Sequence, residues 1–291
     1  MEKLYYHYCS EDAFLSIITS KMLWLTQIVK SNDEEEVKRT LKYIWNSIKN
    51  DIKKGINVFA DNKDSPIELI NDTIKLNLEQ LLSGDFVPYG VCLTYNRDLS
   101  QNWNEYGERG KGLALGFTND LFYGIKHDFP SPNSFFSEAI GYHDVIYDTN
   151  RCNLKGQFKT ICIEAINSNG QNALGWLNAF NTLKIYSAFI KNPTFIDERE
   201  IRIIFYPNSV SEDFQSNNNK SQIKNIENHP KLHCSLPWIK TNGTCALKEI
   251  IIGSNCKYSK KDIKTLLKAN GINNEIIISK SEYPIRSSEN H

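Results

Sequence analysis

The sequence predicts an α+β fold, and three stretches carry that expectation. Its opening residues read strand, short helix, strand. Its closing residues read strand, helix, strand. Between them, apolar spacing of helical period alternates with short β-rich runs. At 291 residues the chain can bury a full-sized core, so one domain is expected over 1–291, with a helical insertion at 27–88 and a mobile loop at 208–230.

Residues 4–8 are aromatic and read as a strand. Ser10 follows as an N-cap, with Glu11 and Asp12 in the first turn, where anions suit the helix dipole. Ala13, Phe14, Ile17 and Ile18 recur at helical spacing, and residues 22–26 return as a strand. The run Ser31-Asn32-Asp33-Glu34-Glu35-Glu36 reads as a second capping signal, opening a helix that contains Val37, Leu41, Ile44, Trp45 and Ile48. Another helix is expected over 67–82, which makes 27–88 an insertion between strands.

Strand character resumes at 89–94, followed by a short helix at 100–106 and a turn with Gly107, Gly110 and Gly112 before a strand at 113–117. Residues 140–147 read as a strand and 153–167 as a helix. A second helix is expected over 172–190, where Leu174, Leu177, Leu183, Tyr186 and Ile190 form an apolar stripe that Pro193 ends. Residues 200–206 alternate as a strand, and the polar, Asn-rich 208–230 offers little to bury. A strand at 246–252, a helix at 259–270 stopped by Gly271, and a strand at 275–278 complete the pattern.

The formal net charge is zero, so no bulk field draws the chain to nucleic acid or to an acidic membrane. Seven cysteines form no C-x-x-C pair and most sit in apolar strings, as expected of reduced core thiols in the cytoplasm. The first residues lack a signal-peptide pattern, and no apolar run approaches membrane-spanning length, so no membrane partner is expected. The six histidines offer no paired metal-ligand spacing, and no metal is expected. The Gly107-x-x-Gly110-x-Gly112 run precedes a strand, which suits a tight turn better than a phosphate cradle.

Three groups of residues have the chemistry of a site. His7, at a strand end, could take a ribose hydroxyl in its neutral form, or be an ordinary histidine of core or surface. Trp103 and Tyr106 lie three apart on a helix and share a face, suited to stacking on a ring or to core packing. Glu198, Glu200 and Arg202 alternate on one side of a strand while Ile201, Ile203 and Phe205 face the core; the alternative is an exposed face with an ordinary ion pair. Thr26 and Gln27, at the end of the second strand, are weaker candidates, and the acids after Asn32 fit a helix cap.

The opening pattern Tyr6-His7-Tyr8-Cys9-Ser10, Phe14, Ile17-Ile18 and Leu23-Trp24-Leu25-Thr26 resembles the start of the ADP-ribosyltransferase superfamily. The whole chain is similar to bacterial domain-of-unknown-function family 2971 through Tyr6-His7-Tyr8, Asn32-Asp33-x-x-Glu36, Trp103-x-x-Tyr106, Gly112-x-x-x-Gly116-Phe117, Glu198-x-Glu200-x-Arg202 and Ile252-Gly253. The long polar stretch after Asn32-Asp33 departs from that group.

The resemblance implies a split mixed or antiparallel sheet and mono-ADP-ribosyl transfer from NAD, as co-substrate, to a macromolecular acceptor, protein or nucleic acid, in a toxin or phage-defence effector. It implies Glu200 as the catalytic acid with Glu198 and His7 beside it, and cofactor contacts from His7, Tyr8, Thr26, Trp103, Tyr106 and Arg202. Two other readings stay open. One is a non-enzymatic module of the same fold that binds a nucleotide or a protein. The other is a metal-dependent nuclease built on Asp33, Glu36, Glu198 and Glu200.

Overall fold

The computed structural model describes residues 3–28, 46, 50, 88–127, 139–147, 188–206 and 233–283. Most of the expected insertion at 27–88, the helix at 153–167, residues 172–187 of the helix expected over 172–190, and the 208–230 loop lie outside the described residues.

The first strand, β1 (Tyr5–Cys9), ends at Ser10, whose extended backbone and side chain, accepting from Ala13 N, cap helix α1 (Glu11–Ser20). Lys21 turns into the left-handed region at φ 59° and the chain enters β2 (Met22–Gln27). Phe14, Ile17 and Ile18 of α1 are buried as their spacing demands. At the other end β11 (Leu247–Ile252) leads to α3 (Lys260–Ala269), capped by a reciprocal Ser259–Asp262 pair, and then to β12 (Ile277–Lys280).

Between these units run β3 (Tyr89–Thr94), the short helix α2 (Ser100–Glu105) and β4 (Leu113–Phe117). They are followed by β5 (Lys126–His127), β6 (Ala139–Asp144), β7 (Ile146–Tyr147), β8 (Ile190–Lys191), β9 (Glu200–Tyr206) and β10 (His233–Pro237). The fold is mixed α+β, with a mostly antiparallel sheet ordered β12-β11-β4-β1-β3-β9-β6-β5. Among the described residues only β11–β12 and β5–β6 pair in parallel within it, and β7 and β8 form a separate parallel pair. Ile190, expected on a helical stripe, is a strand residue, and β10 and β5 carried no sequence signal. No helix among the described residues is long and apolar enough to cross a membrane.

The sheet forks at β3. One edge of β3 pairs with β9 along its whole length, from Tyr89 opposite Phe205 to Thr94 opposite Glu200. The other edge is shared: Thr94 pairs with Tyr6 of β1, while Tyr89 and Gly90 pair with β2. Val91, Cys92 and Leu93 lie between the two arms with no strand partner on that side among the described residues. Through β2 the second arm continues to β10.

Residues paired directly across a sheet share a face, so the two faces differ in character. On one, Val91, Leu93, Leu113, Leu115, Phe117, Ile201, Ile203 and Phe205 form the main core with α1 and α3. On the other, Tyr6, Tyr8, Ala114 and Ile251 pack around Trp103 of α2. That second face also holds Thr94, Glu200 and Arg202, whereas His7, opposite Leu115, belongs by register to the core face and meets the pocket only at the open fork.

The glycine run is a packing turn. Gly110 N and Gly112 N both donate to Gly107 O, so those amides are spent inside the turn. Gly253 N donates to Gly112 O, which pins the turn to the end of β11. A Cβ on Gly112 would fall 2.1 Å from Cys9 O, against backbone that cannot yield cheaply. Gly112→Ala is therefore expected to lower stability by about 1–3 kcal/mol, read as a shifted denaturation midpoint at unchanged slope.

Candidate functional site

The unpaired stretch of β3 exposes backbone that something else must satisfy. His7 supplies part of it, since its Nδ1 lies 3.0 Å from Cys92 O. A carbonyl only accepts, so Nδ1 carries the proton and Nε2 keeps its lone pair. Burial lowers the His7 pKa from its ordinary value, against the opposing pull of the Cys92 carbonyl, so the ring is neutral at physiological pH.

A pocket opens at this fork, with about 370 Å³ of empty space including its open mouth. Its lining comes from β1 (His7, Tyr8), β3 (Cys92, Thr94), α2 (Asn102, Tyr106) and the turn into β9 (Glu198, Glu200). Thus His7, Tyr8, Tyr106, Glu198 and Glu200, singled out from the sequence, share one pocket. Trp103 does not line it: the ring is fully buried against Tyr8, and its Nε1 donates to Asp98 at 2.6 Å. The helical partner of Tyr106 on the pocket side is Asn102, one turn away, rather than Trp103. Thr26 sits on the other arm of the fork, opposite Gly90 and His233. Asn32 through Glu36 lie outside the described residues.

The pocket's charges form one buried network rather than an exposed face. Glu198 closes the 3₁₀ turn Pro193–Glu198, Arg199 takes a left-handed conformation at φ 45°, and β9 begins at Glu200. Lys191 of β8 reaches both acids, with Nζ 2.7 Å from Glu198 Oε2 and 3.1 Å from Glu200 Oε2. Arg202 grips Glu200 from the other side, Nε to Oε1 at 2.7 Å, and also donates to the Ala188 carbonyl. Two acids and two cations cancel formally, as buried charges require.

The titration directions follow from this packing. Burial pushes the Glu200 carboxyl up, but Arg202 and then Lys191 outweigh it and hold the group at about 2. Burial likewise opposes the Lys191 ammonium, and Glu200 and Tyr106 outweigh it in turn, so its pKa lies above the ordinary value. Cys92 is exposed at the surface, but the crowding of atoms around its sulfur and the Glu200 carboxylate both push the thiol up, so it rests as a thiol and not as a nucleophilic thiolate.

Glu198 differs from Glu200 in one respect that matters chemically. Lys191 Nζ and the Tyr106 hydroxyl, the latter at 3.2 Å, both bind Oε2. Oε1 is left buried with no hydrogen-bond partner. Glu200 has both oxygens bonded: Oε1 to Arg202 and Oε2 to Lys191 and Arg202.

Lys191, Asn102, Cys92 and Thr94 were not identified from the sequence. A signal for Lys191 existed, because two acids facing one arginine on a strand leave a charge that burial would not tolerate alone. Among the described residues no group of three His, Cys, Asp or Glu is placed to hold a metal ion. In the nuclease arrangement, the position between Glu198 and Glu200 is filled by the Lys191 ammonium.

The fold and site therefore define a mixed α+β protein with a pocket at a forked sheet, floored by a neutral ion network. Residues 102–203, about a third of the chain, match the family described as "Protein of unknown function (DUF2971)". That span holds Trp103, Tyr106 and the Glu198-x-Glu200-x-Arg202 segment, while His7 lies outside it. No curated protein and no solved structure matches the chain.

Proposed function

We propose that the chain is a mono-ADP-ribosyltransferase, whose pocket receives the nicotinamide-ribose end of NAD and whose acceptor is a macromolecule. The observation that carries the reading is convergence: His7, Tyr106, Glu198 and Glu200, from separate stretches of chain, line one pocket with an unpartnered carboxylate oxygen among them. The forked sheet supports an ADP-ribosyltransferase-like split arrangement.

In the transfer, the bond from ribose C1′ to the pyridinium nitrogen breaks and its electron pair leaves on nicotinamide. A nucleophile of the acceptor bonds C1′, and its proton passes to solvent. Positive charge develops at the sugar, so an anionic oxygen beside it lowers the barrier. Glu198 Oε1 is the oxygen available for this, because Lys191 binds only the other Glu198 oxygen while both Glu200 oxygens are held by Arg202 and Lys191. Glu200 then anchors the network, and His7 Nε2 accepts from a ribose hydroxyl. Arg202 is committed to Glu200 and Ala188 and is 4% exposed, so the pyrophosphate needs other partners.

The same full pairing of Glu200, Lys191 and Arg202 favours a second reading, a nucleotide- or protein-binding module without chemistry. Incubation with adenylate-labelled NAD and cell extract separates the two. Free nicotinamide with label on macromolecules is the result expected of the transferase. Bound but intact NAD would give the case to the module, and no binding at all would remove NAD from the account.

A further inference from the structure

Among the described residues three buried side-chain polar atoms lack a hydrogen-bond partner: Asn102 Nδ2, Glu198 Oε1 and Ser254 Oγ. Two of these belong to residues that line the same pocket. One is a donor and the other an acceptor, which is the complement a polar ligand would meet. Asn102 is 1% exposed, and its side-chain nitrogen makes no well-formed hydrogen bond among the described residues; its polar neighbour is the Tyr8 hydroxyl, whose pKa it helps to lower against the larger effect of burial. The Tyr8 hydroxyl is mainly engaged with Leu99 N, Asn96 O and Arg97 O, so its contact with the Asn102 amide is a weak one that a ligand acceptor can replace. Buried unsatisfied groups that persist at a pocket are explained most simply by what the pocket binds.

We infer that Asn102 is a specificity-determining residue: its side-chain amide donates to an uncharged acceptor on the bound group while Glu198 Oε1 takes a donor of the same ligand. Within the NAD reading, on which this rests, the acceptor is the nicotinamide carboxamide carbonyl. An anionic acceptor is disfavoured because it would share a small pocket with the uncovered Glu198 carboxylate oxygen. Asn102 is held in place for this role by α2, whose next turn brings Tyr106 to Glu198.

The test is a calorimetric titration of nicotinamide and of nicotinate into the wild-type protein, Asn102→Ala and Asn102→Asp, with ligand-free thermal melts of each. Wild type is expected to bind nicotinamide at least about tenfold more tightly than nicotinate, and both variants to lose about tenfold or more in nicotinamide affinity. The ligand-free melting temperature of Asn102→Ala should hold or rise, because an unsatisfied buried donor is removed. A structural asparagine would give the opposite pattern, a lower melting temperature with unchanged affinity, and would overturn the assignment. No nicotinamide binding by wild type, or equal binding of the two ligands, would also overturn it. Nicotinamide release from NAD, followed in parallel, keeps the two claims apart. Release without discrimination between the ligands sinks the Asn102 role alone. Discrimination without release leaves Asn102 standing and sinks the transferase.

Discussion

Glu198→Gln is expected to slow single-turnover nicotinamide release by about 10²–10³-fold, the usual loss when one preorganised electrostatic group is removed. The substitution keeps the volume and leaves an oxygen for Lys191 and Tyr106, so the anchoring contacts at Oε2 persist. What disappears is the negative charge at Oε1, the oxygen with no partner in the protein. Ground-state NAD has no cationic sugar, so its affinity should change much less than the rate. Lys191 still faces Glu200 in the variant, which limits the stability penalty. Equal rates for wild type and Glu198→Gln would remove Glu198 from the chemistry.

Glu200→Gln should behave differently, losing mainly stability. The carboxylate is 4% exposed and holds two buried cations, and neutralising it leaves Arg202 facing an amide. Breaking a buried pair from one side typically costs about 3–5 kcal/mol. The pH dependence gives an independent check. The folded-state pKa is depressed to about 2 from an ordinary 4.5, so the stabilisation is fully present above 4.5 and is lost as pH falls toward 2. That shift corresponds to about 3 kcal/mol. Denaturant midpoints measured from pH 6 to pH 2 should therefore fall more steeply for wild type than for Glu200→Gln. Parallel curves would show that the network is not what holds this end of β9.

The sequence reading succeeded where the signal was local. Ser10 and Ser259 cap their helices, residues 89–94, 113–117 and 200–206 are strands, and Gly271 stops α3 at φ 69°. Each rests on a cap, an alternation or a turn residue that acts within a few positions. It failed where partners come from afar. Ile190 read as the end of an apolar helical stripe because periodicity cannot see that β7 is waiting to pair with it and with Lys191. The β10 sequence, His233 to Pro237, is short and mixed, and becomes a strand through β2.

The site was legible in its residue types more than in its geometry. Three-residue spacing placed Trp103 with Tyr106, but α2 is six residues long and the second aromatic core claims Trp103 for Tyr8 and Asp98. The acid motif was visible, yet which acid keeps a bare oxygen depends on Lys191 and Arg202 arriving from either side. That is a fact of three dimensions, and it moves the expected chemistry from Glu200 to Glu198.

The central claim, that the fork pocket is where NAD is held, is tested most directly by a crystal structure of Glu198→Gln with NAD. The account predicts the nicotinamide ribose between His7, Tyr106 and position 198, with the carboxamide carbonyl on Asn102. Density for the dinucleotide elsewhere on the protein, with this pocket empty, would contradict it.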